Sequence, residues 1–287
     1  MVVGQVLGND SYKSVFLEAM QDKKEQRHPN STKEIFTEAL ISIKAEAEQA
    51  LAREVGCSVI AIPDYFDNSA RDAIAAAAVE VAFASSEPKH IIAASEAIRL
   101  AYDFGECSGR HIAKGCDLDK EFITLVVDLT PTSLTVMIVN MGKESATVLG
   151  HEELPDNGEF CIEPDGTQGA KQPQSACTRG LEEGLASTIA KLTTLDEAKR
   201  TEGLQSTPFI KDVNAVILIG NASPASHESL SAILIKLLHE HLGTSEDWFF
   251  QVIDPSQVVS IGAARRAKAL VDKIAPGQTT TETRDEL

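Results

Sequence analysis

The feature that most limits the fold of this chain is a β-rich stretch in its middle, residues 122–154. Val, Ile, Leu and Thr dominate it, and the apolar run at 134–139 is too short and too β-branched for a helix. Turn-forming residues interrupt the stretch at 130–133 and at 142–145. We therefore expect three strands joined as two hairpins. Asp128 ends the first strand, where it either caps the turn with its own side chain or faces a bound phosphate or metal.

On both sides of this stretch, helical patterns alternate with short apolar runs. Helices are predicted at 31–51, 70–85, 95–104, 177–192, 226–241 and 258–271, and further strands at 58–62, 90–92, 213–220 and 251–253. Asn68 and Ser69 are expected to cap the second of these helices. The alternation predicts an α/β protein with mixed sheets.

A polar linker near residues 105–120 divides the chain into two predicted halves. The first half is placed at 31–110, and the second half at 121–272 includes a Gly- and Pro-rich loop at 155–176. The segment 1–30 has no clear structural pattern. A polar tail is expected at 273–287.

The composition of the chain narrows the classes of partner. Of its 287 residues, 43% are apolar, which is enough for one large or two moderate cores, and the formal net charge is −17. Nucleic acids and anionic membranes attract basic surfaces, so neither is an expected partner, whereas a basic protein is weakly favoured. The five cysteines are scattered and show no C-x-x-C spacing. They predict reduced thiols rather than a zinc site or a disulfide framework.

The ends of the chain bear on its location in the cell. No apolar run approaches the length of a membrane span, and residues 1–5 do not resemble the start of a signal peptide. We therefore expect a cytoplasmic protein. The last four residues, Arg284-Asp285-Glu286-Leu287, resemble a K-D-E-L retrieval signal, so the endoplasmic reticulum is the alternative.

Five sequence blocks resemble one known family. Residues 62–73 read Ile-Pro-Asp-Tyr-Phe-Asp-Asn-Ser-Ala-Arg-Asp-Ala and resemble Val-Pro-Ala-Tyr-Phe-Asn-Asp-Ser-Gln-Arg-Gln-Ala, a signature of the seventy-kilodalton heat-shock chaperone family. The block that begins at Ile91 is similar to the family's Ile-Ile-Asn-Glu-Pro-Thr-Ala-Ala-Ala-Leu-Ala-Tyr. The strand stretch at 122–154, the strand at 216–220 and residues 254–264 match three later blocks in order.

The resemblance implies an incomplete form of the actin-like ATPase (ribonuclease H-like) fold, in which mixed sheets are flanked by helices. The family's domain begins with a Gly-Ile-Asp-Leu-Gly-Thr-Thr hairpin around the phosphates, followed by a catalytic Lys, and neither has a counterpart here. The outer helical lobe is also missing, because the segment between Phe160 and Cys177 is too short to hold it. The chain is thus expected to be a truncated, degenerate relative of that nucleotide-binding domain.

The surviving motifs are altered where the family does its chemistry. Three glycines that cradle phosphate are replaced by Thr130-Pro131-Thr132, followed by Ser133. Pro131 has no N–H, and threonines do not readily adopt glycine conformations. Ala94 stands where the family has a Glu that organises metal and water. Asp128 aligns with the family's second Asp.

At the adenosine site the family's Gly-Gly-Ser/Gln-Thr-Arg becomes Gly220-Asn221-Ala222-Ser223-Pro224, so Pro224 replaces the Arg that stacks on the base. The resemblance therefore implies no catalytic residue beyond a vestigial Asp128, no metal site and no resident cofactor. If Mg-ATP or Mg-ADP binds at all, the expected contacts are Asp128, Thr130, Thr132, Ser133, Gly220, Asn221 and Ser223. His227, His239 and His241 are expected at the surface.

These observations favour a non-catalytic chaperone-like protein that acts through protein–protein interaction. The expected partner is a chaperone or co-chaperone. A homodimer or a rearranged N-terminus is also expected, because the missing hairpin leaves strand edges of the first half uncovered. The alternative is a minimal ATP-binding chaperone or ATPase whose phosphate loop comes from residues 1–30, from a second subunit or from a region upstream of Met1.

Overall fold

The fold is described by a computed structural model that covers residues 30–55, 59–83, 88–107, 117–119, 121–131, 133–154, 174–194, 212–242 and 248–274. Several predicted features lie outside these ranges. They are the segment 1–29, Thr132, most of the loop at 155–176, and the tail from residue 275 with its retrieval-like ending.

The described residues form six helices and seven strands. In chain order they are α1 (Asn30–Leu51), β1 (Ile60–Ile62), α2 (Asn68–Glu80), β2 (Ile91–Ala93), α3 (Ala94–Ala101), β3 (Ile123–Leu129), β4 (Leu134–Met141), β5 (Ala146–Glu153), α4 (Gln174–Thr194), β6 (Val213–Ile219), α5 (Pro224–Leu242), β7 (Phe249–Phe250) and α6 (Val258–Ile274). The three predicted strands of the central stretch are confirmed as β3, β4 and β5.

The larger sheet has the strand order β5-β4-β3-β6-β7. The pairs β3–β4 and β4–β5 are antiparallel, whereas β3–β6 and β6–β7 are parallel. A second sheet consists of β1 and β2, which run parallel. The predicted α/β class with mixed sheets is therefore confirmed.

Each face of the larger sheet is covered by helices, because the strands β3, β4 and β6 are apolar on both sides. Side chains of α4 and α5 pack on one face. On the other face lie α3, the segment after it, and the start of α6, with Phe104 fully buried beside Phe122 and Phe250. We call this sheet with α4 and α5 the large lobe.

The smaller sheet has its own core against α1 and α2, which includes Phe36, Phe66 and Ile74. We call α1, α2, β1 and β2 the small lobe. Helices α3 and α6 lie between the lobes, since Ala97 and Ala263 pack with Ile92 of the smaller sheet and with Val59, which precedes β1. Both helices therefore pack against both lobes.

Two local predictions were wrong. Residues 251–253 do not form a strand; the strand is Phe249–Phe250, and Val252 is 79% exposed. The buried aromatic ring of Phe250 fixes this register, which the apolar pattern of 251–253 did not indicate. Helix α2 is capped by Asp67, whose Oδ1 accepts a hydrogen bond of 2.7 Å from the Ala70 N–H, rather than by Asn68 or Ser69.

One cysteine also departs from the prediction of reduced thiols, because Cys107, just beyond α3, is disulfide-bonded. The five cysteines are scattered along the sequence, so their spacing did not indicate this bond. None of the described helices combines the length and the hydropathy that crossing a membrane requires.

Candidate functional site

Two of the residues predicted to contact nucleotide meet at one edge of the large sheet. Asp128 lies opposite Ile219 in the parallel pair β3–β6, so the C-terminal ends of the two strands lie side by side. Gly220 follows at once, and a Cβ atom placed on it would be 2.7 Å from Asp128 Oδ1. In open α/β sheets ligands bind outside the carboxyl ends of such strands, so this edge is the candidate site.

The turn after β3, residues 130–133, is closed by its own hydrogen bonds. The Thr130 N–H donates to the Ser133 carbonyl at 2.9 Å, and the Ser133 N–H donates to Thr130 Oγ1 at 2.9 Å. The two hydroxyl oxygens are 2.8 Å apart. Pro131 has no N–H to offer. The N–H groups of both Thr130 and Ser133 are therefore used within the turn.

The turn after β6 keeps a glycine for a structural reason. Gly220 has φ of +109°, and a Cβ atom there would lie 2.0 Å from the Leu129 carbonyl oxygen. The same carbonyl accepts a hydrogen bond of 3.2 Å from the Ala222 N–H. Only glycine allows this approach between the ends of β3 and β6. Gly220 is thus required by the fold itself, whether or not a ligand binds.

The two polar residues predicted beside Gly220 have unequal roles. Ser223 caps α5: its Oγ accepts a hydrogen bond of 3.2 Å from the Ser226 N–H, and the two serine hydroxyls are 2.8 Å apart. Pro224 then occupies the first helical position, which suits its fixed φ. Ser223 therefore serves its own helix, while Asn221 is half-buried in the turn.

Tyr65 and Glu153 lie near Asp128 and were missed in the sequence. Asp128, Thr135 and Glu153 are directly opposite one another on β3, β4 and β5, so their side chains share one face. Burial raises the pKa of Tyr65 to about 12, and the carboxylates of Asp128 and Glu153 add to this rise. Tyr65 as a whole residue is nevertheless 52% exposed. Tyr65 belongs to block 62–73, which resembles the family signature, and this resemblance was the signal in the sequence that could have assigned Tyr65 to the site.

Asp64 closes the N-terminus of α3 from the small lobe. Its carboxylate accepts a hydrogen bond of 2.8 Å from the Ser95 N–H and one of 2.6 Å from the Ser95 hydroxyl. Ser95 is buried. A helix N-terminus attracts anions through its free N–H groups. Here an anion of the chain itself is already bound there, beside Ala94.

His227 was predicted at the surface but is buried, with Nε2 3.5 Å from the Ile219 carbonyl oxygen. Burial lowers the pKa of His227, and the charge of Asp254 opposes this shift. His239 is exposed. Within the ranges that the structure covers, no three His, Cys, Asp or Glu side chains are grouped so that they could hold a metal ion.

Among the described residues, the N–H groups of the turn after β3 are not placed to cradle the phosphates of a magnesium nucleotide. A phosphate cradle needs backbone N–H groups that point at the anion, and those of Thr130 and Ser133 are hydrogen-bonded within their turn. The α3 N-terminus is bonded to Asp64. Asp128 and Glu153 share a face here, but no three carboxylate, His or Cys side chains of the described residues are grouped so that they could hold the metal ion.

Comparison with known proteins gives the class to which this chain belongs. The sequence model of the family described as Hsp70 protein matches residues 8–151, about half of the chain, so the chain belongs to the Hsp70 family. Its mixed α/β architecture is that of an incomplete actin-like ATPase fold.

The most similar relatives include three bacterial proteins named Chaperone protein HscA homolog. The protein from Ralstonia pickettii is 25% identical over 94% of this chain and 46% of its own length. Those from Methylobacillus flagellatus and Cupriavidus metallidurans are 26% and 25% identical over 83% and 85% of this chain. The chain spans less than half of the length of these relatives.

Proposed function

We propose that this protein is a non-catalytic member of the Hsp70 family that acts by binding another protein. The observation that carries this proposal is the closed turn after β3. Its Thr130 and Ser133 N–H groups are bonded within the turn, and Pro131 has none. A phosphate bound by the N–H of Thr130 or Ser133 would have to break those bonds first.

The chemistry of phosphoryl transfer also supports a non-catalytic protein. The reaction depends on positioning and on stabilisation of charge by N–H groups, cations and metal ions. In this chain Asp128 stands at the sheet edge with Glu153 on the same face, so the charge there is negative. Ala94 offers no ligand for a metal, and Asp64 holds the α3 N-terminus. Asp128 is therefore a vestige rather than a catalytic residue.

The partner that we propose is a chaperone or co-chaperone. The net charge of −17 favours a basic protein surface over nucleic acid or anionic lipid. The relatives are themselves named as chaperones. We place this interaction in the cytoplasm.

A homodimer is part of the same proposal. Among the described residues, β1 pairs only with β2, so its other edge has no neighbouring strand. Such an edge is a template for strand pairing. Sedimentation or light scattering that shows a monomer at all accessible concentrations would remove this part of the proposal.

Calorimetric titration with Mg-ATP and Mg-ADP tests the loss of nucleotide binding. We expect no binding at ligand concentrations up to about a millimolar, which corresponds to an affinity weaker than roughly 4 kcal/mol. Micromolar binding contradicts the proposal. Phosphate release is measured in parallel, with Asp128→Asn as the control. Turnover that this substitution abolishes would establish an enzyme.

Affinity capture of the tagged chain from a cell extract, followed by mass spectrometry, tests the partner. Because chaperones also bind unfolded chains, the matched control is the same bait after heat denaturation. A true partner is enriched on the folded bait and not on the denatured one. Recovery of chaperones on the denatured bait alone contradicts the proposal.

A further inference from the structure

An ion pair on α3 reaches across to the large lobe. Arg99 donates from Nε to Glu96 Oε2 at 2.8 Å and from Nη2 to Glu96 Oε1 at 2.7 Å, which is a bidentate pair. Arg99 Nη1 donates to the Lys143 carbonyl at 2.9 Å. Glu96 Oε2 accepts 3.0 Å from the Ala146 N–H. Both partners thus bind the turn between β4 and β5, and we call this group the α3 clamp.

The burial of the clamp separates it from ordinary pairs along a helix. The Arg99 side chain is 9% exposed and that of Glu96 is 21% exposed. The pair Lys268–Asp272 on α6 is 70% and 60% exposed and makes a 2.5 Å contact within one helix. Exposed pairs of that kind contribute little. Buried charges, in contrast, require each of their partners, so the clamp constrains the position of α3 on the β4–β5 turn.

The opposite side of α3 is held by α6. Gly262 packs so closely on α3 that a Cβ atom there would lie 1.8 Å from the Ala97 carbonyl oxygen. Arg265 donates 2.9 Å to the Leu100 carbonyl and pairs with Asp103. Since α6 also packs on both lobes, α3 cannot slide along it without losing these contacts.

The N-terminus of α3 is fixed to the small lobe through Asp64, which immediately precedes Tyr65. One short helix therefore joins the Asp64–Tyr65 loop at one end to the large lobe through the clamp. Glu96 and Arg99 stand where the resembled signature has Thr and Ala, so neither charge belongs to that signature.

We infer that the α3 clamp holds the small and large lobes in one fixed orientation, so that the spacing between Tyr65 and Asp128 does not change when a ligand is offered. Two packed units of one chain generally move relative to each other unless the contact between them is extensive and apolar or is held by a specific interaction. Here the clamp adds such an interaction to the apolar packing of α3 and α6, and the protein presents one rigid surface to the partner of the proposed function.

Distance measurement between spin labels tests this inference on the full chain. Labels are attached to noncanonical residues at Val79 on α2 and Glu228 on α5, both exposed. We expect one narrow distribution that stays unchanged in Mg-ATP, Mg-ADP and high salt. A wild-type distribution that is broad, bimodal or shifted by any of these additions overturns the inference without any variant.

Variants then assign the rigidity to the clamp. In Arg99→Met we expect a broadened distribution and exchange of the Ala146 amide that is about tenfold faster. The double variant Glu96→Gln/Arg99→Met removes both charges, so it leaves no buried charge unpaired if the single variant does not fold. Lys268→Met is the matched control and should match the wild type. A folded clamp variant with the wild-type distribution overturns the inference.

Discussion

The turns after β3 and β6 lie side by side at the C-terminal ends of the two strands. They differ in whether they keep the glycines of the family's motifs. The turn after β6 keeps its glycine, Gly220, while the turn after β3 has Thr130, Pro131 and Thr132 where the resembled signature has glycines. From the sequence, Gly220 is either a contact of a bound nucleotide or a residue that the strand-to-helix turn needs for local reasons. The structure gives it another cause, since Gly220 approaches the Leu129 carbonyl too closely for any side chain.

The glycine that matches the family's motif and the glycines that are replaced have separate explanations. Gly220 is held in place by the packing of two parallel strands, which the fold needs in any case. In the other turn Thr130 and Ser133 carry side chains, and these side chains close the turn through their own hydrogen bonds. Retention of Gly220 is therefore weak support for a ligand.

The largest expected effect is that of Gly220→Ala. The added Cβ would meet backbone atoms at a positive φ, so we expect a loss of more than about 4 kcal/mol in the free energy of unfolding. Urea denaturation measures it. The control Gly150→Ala places a Cβ 3.2 Å from the flexible end of the Leu192 side chain and should cost under about 1.5 kcal/mol. Equal effects would mean that Gly220 was not retained for packing.

Thr130→Val should have the next largest effect. The substitution keeps the shape but removes the hydroxyl that binds Ser133, and Thr130 is buried, so roughly 1–3 kcal/mol should be lost. Ser223→Ala, which removes the α5 cap in the other turn, should cost about 1 kcal/mol. Urea denaturation of both variants ranks them. The reverse order would show that the turn after β3 is not closed as described.

A titration of tyrosine absorbance measures the effect of the Asp128 carboxylate, at the end of β3, on the pKa of Tyr65. The carboxylate of Asp128 helps to raise the pKa of Tyr65 to about 12, so Asp128→Asn should lower that pKa. Burial should keep it above the ordinary value. The difference between each protein and its Tyr65→Phe counterpart isolates this one residue. An unchanged pKa would mean that Asp128 does not face Tyr65.

The smallest effect concerns pH and the turn after β6. Burial lowers the pKa of His227, so the unfolded chain takes up a proton near its value of 6.5 while the folded chain still resists it. The stability that neutral His227 provides is complete above that pH and is lost as the pH falls through the folded pKa. Urea midpoints between about pH 7.5 and pH 5 should therefore fall more steeply for the wild type than for His227→Gln. Parallel slopes would contradict this.

Much of the secondary structure could be predicted because it follows from local patterns. The β-branched run of residues 134–139 is too short for a helix, and the helices at 31–51 and 226–241 showed an apolar face in the sequence. The strand at Phe249–Phe250 could not be placed in this way. Its register depends on the packing of Phe250 with Tyr102 and Phe104, which are far away in the sequence.

The candidate site was predicted in part. Asp128, Thr130, Ser133 and Gly220 were found through the resemblance, and their neighbourhood at the sheet edge follows from the parallel pairing of β3 and β6. Tyr65, Glu153 and Asp64 were not assigned to the site. Their positions depend on how the small lobe meets the large one, and no local pattern contains that information.

The sequence by itself determined the helices and all strands except the last, the acidic charge, the membership of a chaperone family, and the replacement of the glycines after β3. Each of these properties depends on composition, on residues that are close along the chain or on motifs of fixed spacing. The tertiary structure alone decided that Gly220 serves packing, that Asp64 fills a helix N-terminus, and that Glu96 and Arg99 bind the β4–β5 turn. Those contacts join residues that are tens of positions apart, so only the folded chain brings their charges and hydrogen-bonding groups together.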